Sequence, residues 1–535
     1  MLKLKRFDKN KKKINSKYII IASIMLIFML SIFALYKSYA LYKVQEEYDV
    51  IKSRIGEFNA EDIILSYTVD GEKTDINFPS KESNYTVNSV ECSDGTKAGW
   101  DNTTWSLTNI TPGASKKIKC NIDFHKNEYT ESILNGTDPV LSDNLIPVVI
   151  ADDGTVTKAD TTSDWYSYEN KKWANAVILV DENKTYNNGD TIPEDNIESY
   201  FVWIPKYSYQ IFNLGTTDGY IEGKPETSNA KEIQIKFGTT NTNDNNENEC
   251  TTPMTSGASG NCKVGDYMTS PAFISMNTNG LWVAKFETTG STTNITVKPN
   301  QRSLRNLNVK TMFETAYNYK RDNDSHMMKN TEWGAVAYLS HSKYGINTEV
   351  RINNNFNFMT GYAATDSSDQ SKYPGTTGTD SSVTLPYNTS TGYKASTTGN
   401  ITGIYDMSGG TQEYMASLRS ETYGSSEFDN SSLKAYNSKY YDEYNSSSDW
   451  TTYSKRILGD ATGEMGPFYY YQESNGGNYI HNSWYIDYSD FVGALYPWFV
   501  RGGHVDRSVL AGQFSFDRTS GGDGSLNGLR LVLTK

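Results

Sequence analysis

Four cysteines and five histidines are the residues of this 535-residue chain from which redox, nucleophilic or transition-metal chemistry could be built. The cysteines fall as Cys92 with Cys120 and Cys250 with Cys262, and none follows Cys262. In an exported chain an even count is read most simply as disulfides, here Cys92–Cys120 and Cys250–Cys262. Zinc takes closely spaced ligand pairs, and two isolated thiols with only His125 nearby lack that spacing. His326, His341, His481 and His504 are dispersed, without facial-triad spacing. No Ser/His/Asp arrangement is legible, and paired acids for glycoside cleavage need geometry to be recognised. Arg501 and Arg530 each sit inside a Gly-containing motif and read as arginines bonding backbone carbonyls. Asp406, before Met-Ser-Gly, reads as the cap of its own turn. No catalytic residue and no metal ligand is assigned. No cofactor is expected, with a structural calcium ion left open.

Positioning such residues takes folded units, and a chain of this length is too long for a single core. Hydrophobic residues make up 37% and charged residues 21%, with 39 tyrosines among abundant Asn, Ser, Thr and Gly, a composition of strands and long polar loops with few helices. The net charge of -13 is uneven. Residues 1–17 hold eight basic side chains against Asp8, a balance of +7, which leaves -20 for the rest. Nucleic-acid binding needs a concentrated basic face, and none follows residue 17, so no nucleic-acid partner is expected.

Residues 1–17 read as a basic cytoplasmic tail. The uncharged run Tyr18–Tyr36 is about long enough to cross a hydrocarbon core of roughly 30 Å, so residues 18–40 are expected to form a transmembrane helix or signal anchor, with the membrane as partner. Ser38-Tyr39-Ala40 carries the small-x-Ala form of a signal-peptidase site, so secretion after cleavage near Ala40 is the alternative. Residues 41–58 carry apolar positions at helical spacing and read as a stalk. Residues 59–126 alternate as strands around Asp70-Gly71, Asp94-Gly95 and Pro112-Gly113, a small β-sandwich. Residues 127–195 read as linker and the first strands of the next domain.

Tyr200–Tyr207 and Leu281–Phe286 read as buried strands and sheet partners. The insert 237–263 between them is Asn-rich and acidic, is expected to be disordered, and lacks the ordered spacing of a calcium loop. Helices are expected over Asn306–Lys320 and Lys329–Ser340, the second capped by Asn330 or Thr331. Tyr423–Tyr453 reads as a flexible, Tyr-rich stretch. The expected fold class is α+β: an N-terminal transmembrane helix, a small β-sandwich and a loop-rich domain over 196–535.

Three stretches carry a resemblance: Thr331–Leu339 (TEWGAVAYL), Gly403–Gly409 (GIYDMSG), and Phe499–Gly503 (FVRGG) with the closing Gly528–Val532 (GLRLV). Together, in this order, they resemble the formylglycine-generating-enzyme-like (sulfatase-modifying factor) domain, a variant of the C-type lectin fold, over about residues 196–535. The resemblance makes Trp333, Tyr405, Asp406, Met407, Gly409, Arg501, Gly502, Gly503, Gly528 and Arg530 scaffold residues. The chain departs from the family at Gly410 (usually Asn), Tyr414 (Trp), His504 (Ser) and Leu529 (Phe). Oxidase members hold copper with two cysteines near the C-terminus, and iron enzymes of the fold use several histidines; neither set is present.

The resemblance instead implies binding. Similar domains serve as displayed variable proteins of diversity-generating retroelements, where the segment between Arg-Gly-Gly and the closing Gly-Phe-Arg meets the ligand. Ligand contact is therefore expected from His504, Asp506, Arg507, Ser515, Asp517, Arg518 and Asp523, with Trp484 and Tyr485 rimming the face beside Tyr488, Tyr496 and Trp498. Trp498, Phe514 and Phe516 are also read as core, and His504 with the charged residues as surface. Tyrosine, tryptophan, serine and glycine suit such a surface, giving rigid amphipathic area at low entropic cost. The expected function is that of a bacterial cell-surface binding protein or adhesin for an extracellular protein or glycan. The alternatives are a formylglycine-generating-type oxidoreductase and a structural component of a surface fibre or pseudopilus.

Overall fold

In the computed structural model Cys92 and Cys120 lie directly opposite each other on antiparallel strands and are joined by a disulfide. The structure describes residues 62–69, 72–73, 85–126 apart from 94, 102–105 and 112–116, and 138–534 apart from 164, 214–229, 239–263, 365–383, 447–456, 466–467 and 473–478. The chain divides into two compact units, Met1–Tyr129 and Thr130–Lys535.

In the first unit, strands alternate apolar and polar residues because one face must be buried. Lys117–Lys126 pairs in parallel with Asp62–Val69 and antiparallel with Tyr85–Cys92, while Glu72–Lys73 extends the edge. The hairpin Lys97–Asp101/Ser106–Thr111 faces this four-stranded sheet. Leu107, Ile122 and Phe124 form the core, with Trp100 edge-on to Phe124 at 5.8 Å.

The second unit is built on a seven-stranded sheet in the order His326–Met327, Leu531–Leu533, Gly280–Ala284, Ile197–Pro205, Asn175–Leu179, Ile146–Ile150, Val156–Lys158. Phe201 to Pro205 face Ala284 to Gly280 in antiparallel register, the pairing read from the two apolar runs. The near-terminal strand Leu531–Leu533 pairs with Gly280–Ala284, tying the closing Gly-Leu-Arg motif into the sheet. A second, five-stranded sheet runs Asp442–Tyr444, Gln412–Arg419, Trp498–Gly502, Gly512–Thr519, with Asn527–Gly528 beside Gln412–Glu413. The Asn330–Ser340 helix is buried along its whole length in the core the two sheets share.

Several expectations are corrected. The molecule is mostly β, because its Gly, Ser, Thr, Asn and Tyr content interrupts helical runs; the α-helices described are short, the longest being the 11-residue Asn330–Ser340. Among the described residues no helix is long and apolar enough to cross a membrane. The expected membrane segment 18–40, the stalk 41–58 and the Cys250–Cys262 pairing lie outside the described residues, as does most of the 237–263 insert. Within that insert Phe237 belongs to a strand. The cap of the second helix is Lys329, not Asn330 or Thr331, because the Glu332 carboxylate accepts from the Lys329 N–H at 2.9 Å. Tyr423–Tyr453 is ordered as far as it is described: Leu433, Tyr440, Tyr441 and Tyr444 are buried around a short helix and a strand.

Candidate recognition face

The scaffold motifs meet at one junction. At Gly403–Tyr414 the chain turns with Asp406 in the left-handed region at φ 62°. The Asp406 carboxylate accepts from Asn353 Nδ2 at 2.9 Å, from the Gly361 N–H at 2.9 and 3.0 Å and from the Glu287 N–H at 3.4 Å, so it anchors three other segments, which corrects its reading as the cap of its own turn. Gly409, at φ 76°, donates its N–H to the Gly502 carbonyl at 3.0 Å, and a Cβ there would lie 2.3 Å from the Asn353 carbonyl oxygen. No residue with a side chain fits at that position.

Arg530 is fully buried. Its Nε and Nη2 bridge Glu413 at 2.9 and 2.5 Å, while Nη1 and Nη2 donate to the carbonyls of Ala284 (2.8 Å) and Tyr405 (3.0 Å). The expected carbonyl-binding arginine is present, with a bidentate carboxylate added. Glu287, which the sequence did not mark, accepts from the Thr411 N–H at 2.8 Å and from the Ser303 hydroxyl. Burial pushes the carboxyls of Glu287, Asp406 and Glu413 up. Tyr405 and Met407 are buried beside them, and Gly528 lies against Thr411.

Trp333 donates its indole N–H to the Gln513 carbonyl at 2.7 Å, fixing the start of the Gly512–Thr519 strand. Arg501 is buried against the Trp333 and Phe516 rings, at 5.6 and 5.5 Å, and donates once, to the Ala461 carbonyl at 3.2 Å. Gly502 and Gly503, both at positive φ, then turn the chain outward.

The expected ligand residues separate into two groups. Trp484 is 3% exposed and packs on Phe212, His341 and Phe514, so it is core and not rim. The cause is the tight turn beneath it: the Ser483 N–H donates to Asp487 at 2.8 Å and the Ser483 hydroxyl to Phe514 at 2.9 Å. Tyr485 is half-buried, its hydroxyl 2.7 Å from His341 Nε2. Ser515 is 2% exposed and His504 9%, which corrects both as surface contacts. The His504 Nδ1 accepts from the Asp506 N–H at 3.3 Å, and burial, reinforced by Arg507, pulls its pKa down to about 4. Trp498, Phe514 and Phe516 are core.

The remaining residues reach the surface. Arg507 pairs with Asp517 at 3.1 Å and lies over the Tyr488 ring at 5.0 Å. Arg518 pairs with Asp490 at 2.9 Å and lies over Tyr496 at 5.8 Å. Beside them Leu495 is 80% and Tyr496 48% exposed. Asp506 is exposed, and Asp523 is exposed on the loop whose Gly524 carbonyl accepts the Asn306 N–H. Gly512–Thr519 is an edge strand of its sheet. Residues 488–490 cover part of that edge, with the Phe516 N–H donating to Tyr488 and the Asp490 N–H to Phe516. The result is a face of two ion pairs, two tyrosines and one projecting leucine. Leu495 and Asp490 were missed; the short Gly493–Pro497 run with its apolar Leu-Tyr pair was the available signal.

The histidines whose side chains are described are engaged internally. His326 sits between the Asp324 carbonyl and Glu332, both at 2.8 Å, and His341 meets Tyr485. His481 lies in the strand Tyr479–Asn482. Among the described residues no group of three or more His, Cys, Asp or Glu side chains is placed to hold a metal ion. A scan of the chain against protein-family models finds no match, and a search of curated proteins finds none either.

Proposed function

We propose that this chain is an exported, bacterial surface-binding protein whose C-terminal unit, resembling the formylglycine-generating-enzyme-like domain, recognises an extracellular protein or glycan without catalysis. The observation that carries the proposal is the face on the Gly512–Thr519 edge strand, made of the Arg507–Asp517 and Arg518–Asp490 pairs, Tyr488 and Tyr496, with Leu495 exposed next to Tyr496 in the chain. Rigid aromatics beside pre-paired charges give contact area whose ordering cost is met within the fold. The Cys92–Cys120 bridge supports export, since disulfides persist in oxidising compartments. The copper chemistry of the oxidase members has no residues here to carry it, because no cysteine follows Cys262. The acidic balance of the chain argues against a nucleic-acid partner.

Labelled full-length protein, titrated onto a panel of whole bacterial and animal cells and purified wall polymers, tests the proposal. Saturable binding that survives chelation of divalent metal is expected. Absence of saturable binding to every surface would overturn it.

A further inference from the structure

The Val309–Asn318 helix buries Val309, Met312, Phe313, Thr315 and Ala316, and on its polar side Thr311, Glu314 and Asn318, with the edge of the buried Thr315, line a groove. That polar face is not simply solvated. The hairpin Thr289–Ser291/Asn294–Thr296 stands across from it, and Glu198, Tyr319 and Lys320 complete the walls of a groove of about 370 Å³. This volume lies near the lower end of the range of about 300–1,000 Å³ for small-molecule sites.

The chemistry of the walls narrows the ligand. Ile295 is the one aliphatic side chain in the lining, so an apolar molecule would gain little by entering. The Tyr319 hydroxyl is already committed to Glu198 and Ser199, at 2.7 and 2.8 Å. Lys320 is held by Glu182 at 2.6 Å and Glu198 at 3.4 Å, which neutralises its charge inside the protein. With Glu198 and Glu314 both in the lining, the groove is acidic on balance and disfavours phosphate, sulfate or carboxylate ligands. What remains is a wall of carboxylates, threonine hydroxyls and asparagine amides. A carboxylate accepts strongly from a ligand hydroxyl, while threonine and asparagine both donate and accept. Such a set matches a molecule that offers many hydroxyls and carries no negative charge.

We propose that the groove between the Val309–Asn318 helix and the Thr289–Thr296 hairpin binds the neutral, polyhydroxylated end of a glycan, one or two sugar rings, at a site separate from the Gly512–Thr519 face. Glu314, whose Oε1 already accepts from the Tyr436 hydroxyl at 3.1 Å, offers its other oxygen as the main acceptor for sugar hydroxyls, and Asn318 and Thr315 fix their orientation. This goes beyond the proposed function by adding a second ligand site of stated chemistry.

The test uses the full-length protein on a printed panel of neutral and acidic glycans, followed by titration with the methyl glycoside of the strongest hit. Neutral glycans are expected to bind in preference to acidic ones and without added metal. Glu314→Gln and Asn318→Ala should each weaken binding at least tenfold with an unchanged unfolding curve, while a Leu495→Ala/Tyr496→Ala/Arg518→Ala variant binds the glycoside as the parent does. No neutral hit, loss of binding on chelation, or parent-like binding by both groove variants would overturn the groove site. If cell binding persists in any of these cases, the edge-strand face stands and the groove proposal alone has failed.

Discussion

Glu464 is a buried acid whose titration falls in the physiological range. Its carboxylate accepts from the hydroxyls of Tyr209 (2.7 Å) and Tyr338 (2.8 Å) and from the Gly459 N–H (3.1 Å), yet burial outweighs these donors and pushes its pKa up to about 7. Unfolded, the carboxyl would release its proton near the ordinary 4.5. Between those values the folded state carries the extra proton. The stability this supplies is therefore complete below pH 4.5 and is lost as pH rises through 7, at about 1.4 kcal/mol per pH unit and about 3 kcal/mol in all. Glu464→Gln removes the titrating group. Chemical denaturation at pH 5 and pH 8 should show the variant losing about 2–3 kcal/mol less than the parent across that interval, and equal losses would contradict the assignment. Arg530 follows a different logic. Its bidentate hold on Glu413 is fully desolvated, and removing one partner of such a pair typically costs about 3–5 kcal/mol. The sequence marked Arg530 and Asp406 through their motifs. It could not mark Glu287, whose partners at Ser303, Thr411 and Arg530 come from three separate stretches and whose own neighbours carry no motif.

At the scale of elements, what could be read was what local periodicity encodes. Alternation placed the strands of the first unit, and Cys92 and Cys120 were legible as a pair from the even cysteine count of a chain read as exported; they sit opposite each other on two of those strands. The Ile197–Pro205 and Gly280–Ala284 strands were legible because the apolar stretches Tyr200–Ile204 and Leu281–Ala284 mark a central sheet position. The Asn330 cap was misread because Glu332, reaching back to the Lys329 N–H, moved the helix start by one residue. Trp484 was misplaced because an aromatic-rich turn looks the same whether it faces water or Phe514; only the Ser483–Asp487 closure decides it. The disulfide yields a prediction at this scale. Closing a separation of 28 residues should stabilise the first unit by about 3.6 kcal/mol. In the full chain, Cys92→Ala/Cys120→Ala should lower the unfolding midpoint of the first unit and leave that of the second unchanged, followed by urea denaturation with hydrogen exchange resolved by peptide. A shift in both midpoints, or in neither, would count against a bridge confined to one unit.

For the whole molecule, the second unit spends its buried chemistry on architecture. Asp406, Glu413, Arg530 and Trp333 draw the turn at Gly403–Tyr414, the Arg-Gly-Gly strand and the C-terminal strand into one junction. On the proposed reading, recognition falls to the edge strand Gly512–Thr519 with its two ion pairs and the Leu495–Tyr496 tip. Most of this face was legible: Arg507, Asp517 and Arg518 from their place after Arg-Gly-Gly and Tyr488 and Tyr496 from the aromatic run before it, but not Leu495 or Asp490, whose stretch carries no motif. The most direct test compares the full-length parent with a Leu495→Ala/Tyr496→Ala/Arg518→Ala variant for binding to the cell surface that the parent recognises, at matched unfolding midpoints. These residues are exposed or rim-paired, so the fold should be unaffected while affinity falls at least tenfold, about 1.4 kcal/mol or more. Undiminished binding by the variant would contradict the account.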